Sequence, residues 1–298
     1  MSINIQDKVI DAHIHVWTDD FESYPLAPGF DPSDLWLPSF TPAHHFEYSR
    51  SVGKVRINLV QMTWYGLDHS YIIDLIANDP DTFVGTGIVP AATDVSLASP
   101  DKTMIALFRR GIYAFRVRGG KSARMPIGDV TRWLDYPGYE AMFAAGAAHN
   151  LALSFLMGLD DLPDLDRMCT RFPDTPVILD HICGVRIRDS IFPEEDLKTL
   201  SDMAKHRRVM VKLGPFQALG DGQAPYLDLL PLIRRVVDAF GPERCMWESD
   251  SGGPVVMSDP HTDFPAAIAL INDHADFLSD SDKEQILFKT AEDFFFNR

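Results

Sequence analysis

Along the chain, short apolar runs of strand length alternate with longer segments of helical periodicity. The first run is Val9-Ile10-Asp11-Ala12-His13-Ile14-His15-Val16-Trp17, rich in β-branched residues and stopped by Thr18-Asp19-Asp20. Seven more follow: residues 55–61, 83–90, 112–117, 151–157, 177–182, 209–213 and 245–250. Between them lie amphipathic stretches at 70–78, 137–149, 161–172, 194–206 and 225–240, with a shorter apolar one at Met104 to Phe108. Thr41-Pro42 carries the cap-then-proline signal of a helix start, and 282–296 reads as a closing helix. Strands alternating with helices imply parallel pairing with right-handed crossovers, and eight units predict one closed α/β barrel, a (β/α)8 TIM-type fold spanning residues 1–298. The long connection at 18–43 is rich in proline and aspartate. It also holds Phe21, Tyr24, Phe30, Leu35 and Trp36, so it reads as a packed lid.

Such barrels place their chemistry at the C-terminal ends of the strands. Side chains repeat every two residues along a strand, so His13 and His15 project from one face near the end of the first. Two imidazoles so placed can ligate one metal, share one polarised substrate atom, or simply be satisfied by backbone carbonyls. The other strand ends supply Arg116 and Arg118, Asp180-His181, Lys212 and Asp250, whereas the fifth offers only Ser154. Charged groups are rarely buried without partners, which makes this clustering informative. For each, a purely structural role competes: a helix cap for Asp250, a core histidine held by Asp180 for His181, surface salt bridges for the arginines, and a snorkelling chain for Lys212.

Composition narrows the choice of partner. The formal charge of −16 disfavours nucleic acid and anionic membranes, while a local arginine cluster can still receive an anionic small molecule. Three widely spaced cysteines suggest neither a disulfide framework nor a metal knuckle, and no basic-then-apolar leader or run of about 18 apolar residues is present, so a cytoplasmic location is expected. Oligomeric state is not readable.

The opening Asp11-Ala12-His13-Ile14-His15-Val16-Trp17, the segment Leu179-Asp180-His181-Ile182-Cys183-Gly184 and the segment Trp247-Glu248-Ser249-Asp250 together resemble the amidohydrolase superfamily. Within it they are similar to the amidohydrolase-related branch that includes pyrone-dicarboxylate hydrolases and sugar-acid lactonases. The resemblance implies Asp250 as general base, His13 and His15 as the strand-one pair, His181 as the strand-six histidine and Arg116 as a substrate-binding arginine. It also implies a hydrolase opening a lactone of a small carboxylated or polyhydroxylated acid; a metal-dependent decarboxylase or an inactive binding barrel are the rival readings. Two departures stand out. The strand-five histidine of metal-dependent members is missing, and the last loop reads Glu248-Ser249-Asp250-Ser251-Gly252-Gly253-Pro254 where relatives usually read Gly-Ser-Asp-Trp-Pro. His13, His15 and Asp250 are candidate Zn2+ ligands, with zinc-bound and metal-free sites as equal alternatives and no organic cofactor expected. Arg116, Arg118, Lys212, Trp17 and Trp64 are candidate substrate contacts. His44, His45 and His69 carry no assignment, with adjacent histidines at a helix start expected to face solvent.

Overall fold

In a computed structural model of the protein, which describes residues 2–94, 96–120, 132–187 and 191–298, the eight apolar runs are all strands. They are β1 (Val9–Ile14), β2 (Val55–Val60), β3 (Phe83–Gly87), β4 (Ile112–Arg118), β5 (Ala152–Leu156), β6 (Val177–Leu179), β7 (Val209–Leu213) and β8 (Cys245–Trp247). Neighbours in sequence are neighbours in the sheet and every pair is parallel. The connecting helices are α1 (Pro42–Ser49), α2 (Ser70–Asn78), α3 (Pro100–Phe108), α4 (Pro137–His149), α5 (Leu162–Arg171), α6 (Glu194–Ser201), α7 (Leu230–Phe240) and α8 (Pro260–Ala269). The predicted start at Thr41-Pro42 is the start of α1. The architecture is the expected (β/α)8 barrel.

The seam between β8 and β1 closes at the C-terminal ends of the strands. Ile14 bridges Ser251 in parallel, the Asp250 N–H donates to His13 O at 3.0 Å, and the His15 N–H donates to Ser251 O at 2.8 Å. The strands are shorter than the apolar runs predict, because several of their last residues leave the ladder to enter the site. β6 stops at Leu179, and β8 stops at Trp247.

Inside the barrel, Ile10, Ala12, Val84, Ala114, Ala152, Ile178 and Met246 form an apolar lower layer. The closing helical segment reaches into it: α9 (Asp280–Glu284) continues through π-helical turns at Gln285–Lys289 and Glu292–Phe296, and its Ala291, Phe294 and Phe295 join the same layer. Above this plug, Asn58 donates to Ala12 O at 2.8 Å and to Thr86 Oγ1 at 2.9 Å, starting a polar tier. The 18–43 connection is closed at its neck by reciprocal backbone hydrogen bonds between Trp17 and Phe40, at 2.8 and 2.9 Å. Among the described residues, no helix is long and apolar enough to cross a membrane.

The plug carries a direct test. Phe295 is fully buried at the closed end of the barrel, away from the polar cluster. Phe295→Ala is expected to destabilise by about 3–5 kcal/mol, through lost burial and an unfilled cavity, as a lower midpoint in urea unfolding.

Candidate active site

The two histidines of β1 do face the same space, but the strand reaches that arrangement through an irregularity. Pairing with β2 shifts register between Asp11 and Ile14. Ala12 faces the barrel interior and His13 follows it there, while Asp11 lies outside, 3.6 Å from His45 Nε2 on α1. The Asp11 carboxyl stabilises the irregularity: its Oδ1 accepts from the His13 N–H at 3.2 Å and from the Ser249 N–H at 3.0 Å. One buried carboxyl thereby ties together the backbones that carry His13 and Asp250.

Burial raises the pKa of Asp11 to about 7, and burial lowers that of His45 to about 3. Near neutrality this contact is therefore an acid about half ionised beside an uncharged imidazole, not an ion pair, despite its salt-bridge distance. His45 corrects the solvent-facing expectation: it is fully buried, whereas His44 is exposed and caps α1 by accepting from the Thr41 N–H at 3.0 Å. Adjacent residues on a helix point about 100° apart, so one can face in and the other out. His69 is a structural histidine, bonded to Leu67 O and accepting from the Ile88 N–H.

The polar cluster itself is tight. His15 Nδ1–H donates to Val60 O at 2.9 Å, which leaves Nε2 with its lone pair. His13 Nε2 lies 3.3 Å from that atom, and Arg116 Nη1 faces both, at 3.2 Å from His13 and 3.4 Å from His15. Asp250 Oδ1 is 3.5 Å from His15 Nε2 and 3.7 Å from His13 Nε2. That oxygen is buried and has no hydrogen-bond partner among the described residues. Behind His13, its Nδ1 lies 3.0 Å from Lys212 Nζ and 3.2 Å from Glu248 Oε2. Lys212 Nζ is 2.9 Å from Asp180 Oδ1, which also accepts from Ser154 Oγ at 2.8 Å. Glu248 Oε1 accepts from the His181 N–H at 3.0 Å and from its Nδ1–H at 2.7 Å.

These contacts set the charges. Burial alone would raise Asp180 and Glu248, but Lys212, His13 and Arg116 outweigh it for the first, and His181 and His13 for the second, so both carboxyls sit well below their usual range. Burial opposes the charged form of His181; the Glu248 and Asp250 carboxylates prevail and hold it above the usual histidine range. Burial, then the neighbouring His13 and Arg116, push His15 well down. Arg116, Lys212 and His181 thus face Asp180, Glu248 and Asp250 in near balance, with His15 neutral.

The backbone bends sharply to achieve this. His181, Ile182 and Cys183 have φ of 56°, 51° and 51°, and Asp250 has 53°. Left-handed backbone is costly for non-glycine residues, most of all for β-branched Ile182, and such strain concentrates at functional sites.

The sequence-derived candidates separate into three groups. His13, His15, Arg116, His181, Lys212 and Asp250 converge, and Lys212 is fully buried rather than snorkelling. Arg118 is exposed at the rim and lines a separate cavity of about 220 Å³ with Arg116, Ile88 and Tyr139. Trp17 is buried and lines an apolar cavity beside Asp250, while Trp64 packs edge-on against it. Asp11 and Glu248, part of the motifs but given no role, are structural members of the cluster. Arg186 was also missed; it lines the main cavity, about 360 Å³, with His15, Arg116, His181 and Asp250. Nothing in the local pattern around Arg186 signals this.

His13 Nε2, His15 Nε2 and Asp250 Oδ1, separated by 3.3, 3.5 and 3.7 Å, are spaced as tetrahedral zinc ligands are, about 3.3 Å apart for bonds of ~2.0–2.1 Å. Their donor types fit such an ion, and Arg116 Nη1, 3.2 and 3.4 Å from the two nitrogens, is the group that faces them in this structure. The neighbouring group of His13, Asp180 and Glu248 has ligand-like spacing too, but the Lys212 ammonium already lies against two of its members.

Two stability tests follow from these contacts. The folded pKa of Asp11 exceeds its unfolded value, so it binds a proton more tightly when folded, and its stabilising effect is lost as pH rises from about 4 through about 7. Asp11→Asn keeps the Oδ1 acceptor without ionising; relative to the parent it should gain about 4 kcal/mol between pH 4 and pH 8 in chemical unfolding. Lys212→Met should destabilise by about 3–5 kcal/mol in the same assay, because Asp180 is left buried beside one fewer cation.

The chain is similar to known proteins in sequence and in fold. The chain is 27% identical over 255 residues to a 2-pyrone-4,6-dicarboxylate hydrolase of Comamonas testosteroni, covering 81% of this chain and 75% of that one. It is 33% identical over 121 residues to an L-fucono-1,5-lactonase of Burkholderia ambifaria, 40% of each chain. Among solved structures, a probable 2-pyrone-4,6-dicarboxylic acid hydrolase of Acinetobacter baumannii with citric acid bound superposes with a TM-score of 0.70 at 16% identity, covering 97% of this chain and 99% of that one. A zinc-bound amidohydrolase of Burkholderia multivorans gives 0.69 at 17% identity, covering 96% and 98%. A sequence model of the amidohydrolase family matches residues 10–296, and with the barrel and its clustered strand ends already in view, the chain belongs to that family.

Proposed function

We propose that the protein is a lactone hydrolase acting on a small carboxylated lactone. The observation that carries this reading is Asp250: its buried Oδ1 has no hydrogen-bond partner among the described residues, and the residue lines a cavity together with Arg116, His181 and Arg186. A base needs an available lone pair beside the space a water can occupy, and Asp250 provides it. The lactonase and hydrolase relatives support the same chemistry.

In the reaction, Asp250 takes a proton from water as the water oxygen bonds to the lactone carbonyl carbon. The carbonyl π electrons move to oxygen, where the Arg116 guanidinium and the His181 imidazolium stabilise the negative charge. The tetrahedral species collapses with cleavage of the ring C–O bond, and the Asp250 proton is returned to the departing alkoxide, giving a hydroxy acid. Arg186 and Arg116 present planar forks suited to a substrate carboxylate, so the anionic group is held by arginine in a chain of overall negative charge. Glu248 and Lys212 fix His13 and His181 from behind. His13, His15 and Asp250 would hold a divalent ion, which when bound supplies Lewis acidity toward the carbonyl and a lowered pKa for water. Zinc is bound in the Burkholderia multivorans amidohydrolase, which supports a metal-binding reading in general.

The test is turnover of a lactone panel (aldonolactones, muconolactones, pyrone carboxylates) by the parent and Asp250→Asn, each before and after chelation. Asp250→Asn is expected to lower kcat by about 10²–10⁴-fold with the fold intact. Loss on chelation with recovery on added zinc would establish a working metal set, and activity that survives chelation would assign the polarising role to Arg116 and the histidines. Turnover of no lactone, with decarboxylation of an aromatic acid instead, overturns the reading.

A further inference from the structure

Beside the polar cavity lies a second one of about 90 Å³, and Asp250 and Val255 form part of the wall of both. The chemistry of the two differs. The first sets Arg116, Arg186, His15 and His181 among apolar residues such as Leu156, Met157 and Leu219; the second has no cation in its lining and is formed chiefly by Trp17, Trp36, Phe40, Val256 and Met257. Several polar groups around the second are engaged, while Gln217 Oε1 and Asp250 Oδ1 have no hydrogen-bond partner among the described residues. Trp17 Nε1–H donates to Leu37 O at 2.9 Å, and Gln217 Nε2–H donates to Ser249 O at 3.0 Å. Its mouth is apolar as well: Trp36, Leu37, Val255 and Val256 are 45%, 46%, 43% and 65% exposed. Apolar side chains gathered at the mouth of a cavity, on a chain of charge −16, mark a surface that something apolar covers.

We infer that this cavity is a second substrate subsite, and that the lactone opened at Asp250 carries an alkyl or aryl substituent seated among Trp17, Trp36, Phe40 and Met257. The inference rests on the lactone reading of the polar cavity and adds the substituent. Adjacency to that cavity argues for the occupant: a ligand whose reacting carbonyl lies at Asp250 has its next atoms beside the residues the two cavities share, with arginines on one side and aromatic rings on the other. The loop after β8 is built to keep the space open. Gly252 has φ +76°, and a Cβ there would stand 2.4 Å from His15 O and 2.9 Å from Phe40 Cδ1; one on Gly253 would meet the Asp250 carboxylate. Glycine at both positions lets the loop lie against β1 without filling the cavity. The two segments that supply the lining, 18–43 and the loop between β8 and α8, are those whose sequences are least like a plain barrel connection.

The experiment compares matched carboxylated δ-lactones with and without a butyl or benzyl substituent, in the parent and in Val256→Asp and Trp36→Ala, whose exposed positions should tolerate substitution. The parent is expected to favour the substituted lactone by about 10- to 100-fold in kcat/KM, and both variants to shrink that ratio, Val256→Asp most. A second readout is independent of turnover: 4-phenylbutyrate, an apolar carboxylate that cannot be hydrolysed, should change the tryptophan fluorescence of the parent saturably, and Val256→Asp should weaken it at least tenfold. Equal kcat/KM for the paired lactones with no saturable fluorescence change overturns the subsite and leaves lactone hydrolysis standing. If no lactone is turned over, the lactone reading fails alone, and the phenylbutyrate titration decides the apolar subsite by itself.

Discussion

The closure of the barrel between β8 and β1 is the constraint on which the site depends. Two backbone hydrogen bonds, Asp250 N–H to His13 O and His15 N–H to Ser251 O, join the strands at the level of the charged cluster. The Asp11 carboxyl adds a third link by accepting from both His13 and Ser249. Each link involves the main chain of a residue within the cluster or next to it. Closing the fold and assembling the histidine–aspartate set are therefore the same event, and a change in the register of β1 would move both.

The second constraint is electrostatic. Asp180, Glu248 and Lys212 are essentially out of contact with water, where an unpaired charge would cost several kcal/mol. The structure meets that cost by near-equal numbers of cations and anions at hydrogen-bonding distances, with Glu248 held by His181 and Asp180 by Lys212 and Ser154. Within this balanced set, Asp250 Oδ1 is left without a hydrogen bond. Fixed charges that need no rearrangement during reaction are the most effective stabilisers of a developing oxyanion.

Around this shared core the two long loops divide the approach to Asp250. On one side Arg116 and Arg186 bring cations to a cavity of mixed lining; on the other, Trp17, Trp36 and Phe40 give an apolar one. In the proposed reading a ligand with one anionic and one apolar end meets Asp250 in the middle. The strand ends supply the charged cluster and the loops shape the space around it, the division expected when one barrel serves many substrates.

How much of this was legible in the chain follows from how local each signal is. Eight apolar runs at barrel spacing determined the architecture, because strand and helix periodicity are local properties of the sequence. The charged residues at the strand ends named most of the cluster for the same reason: once the barrel is given, a strand end has only one place to go. Three things were beyond it. The irregularity in β1 puts Asp11 outside and His13 inside, which strict alternation does not foresee, since it depends on pairing with β2 and on a carboxyl bridging to Ser249. The burial of His45 depends on which face of α1 meets the barrel. The recruitment of Arg186 depends on the left-handed turn through His181, Ile182 and Cys183 redirecting the chain over the cavity. The sequence by itself determined the barrel and the residue types at its mouth, because these follow from periodicity; only the tertiary structure decided which charges pair and where the two cavities open, because those depend on distances between segments far apart in the chain.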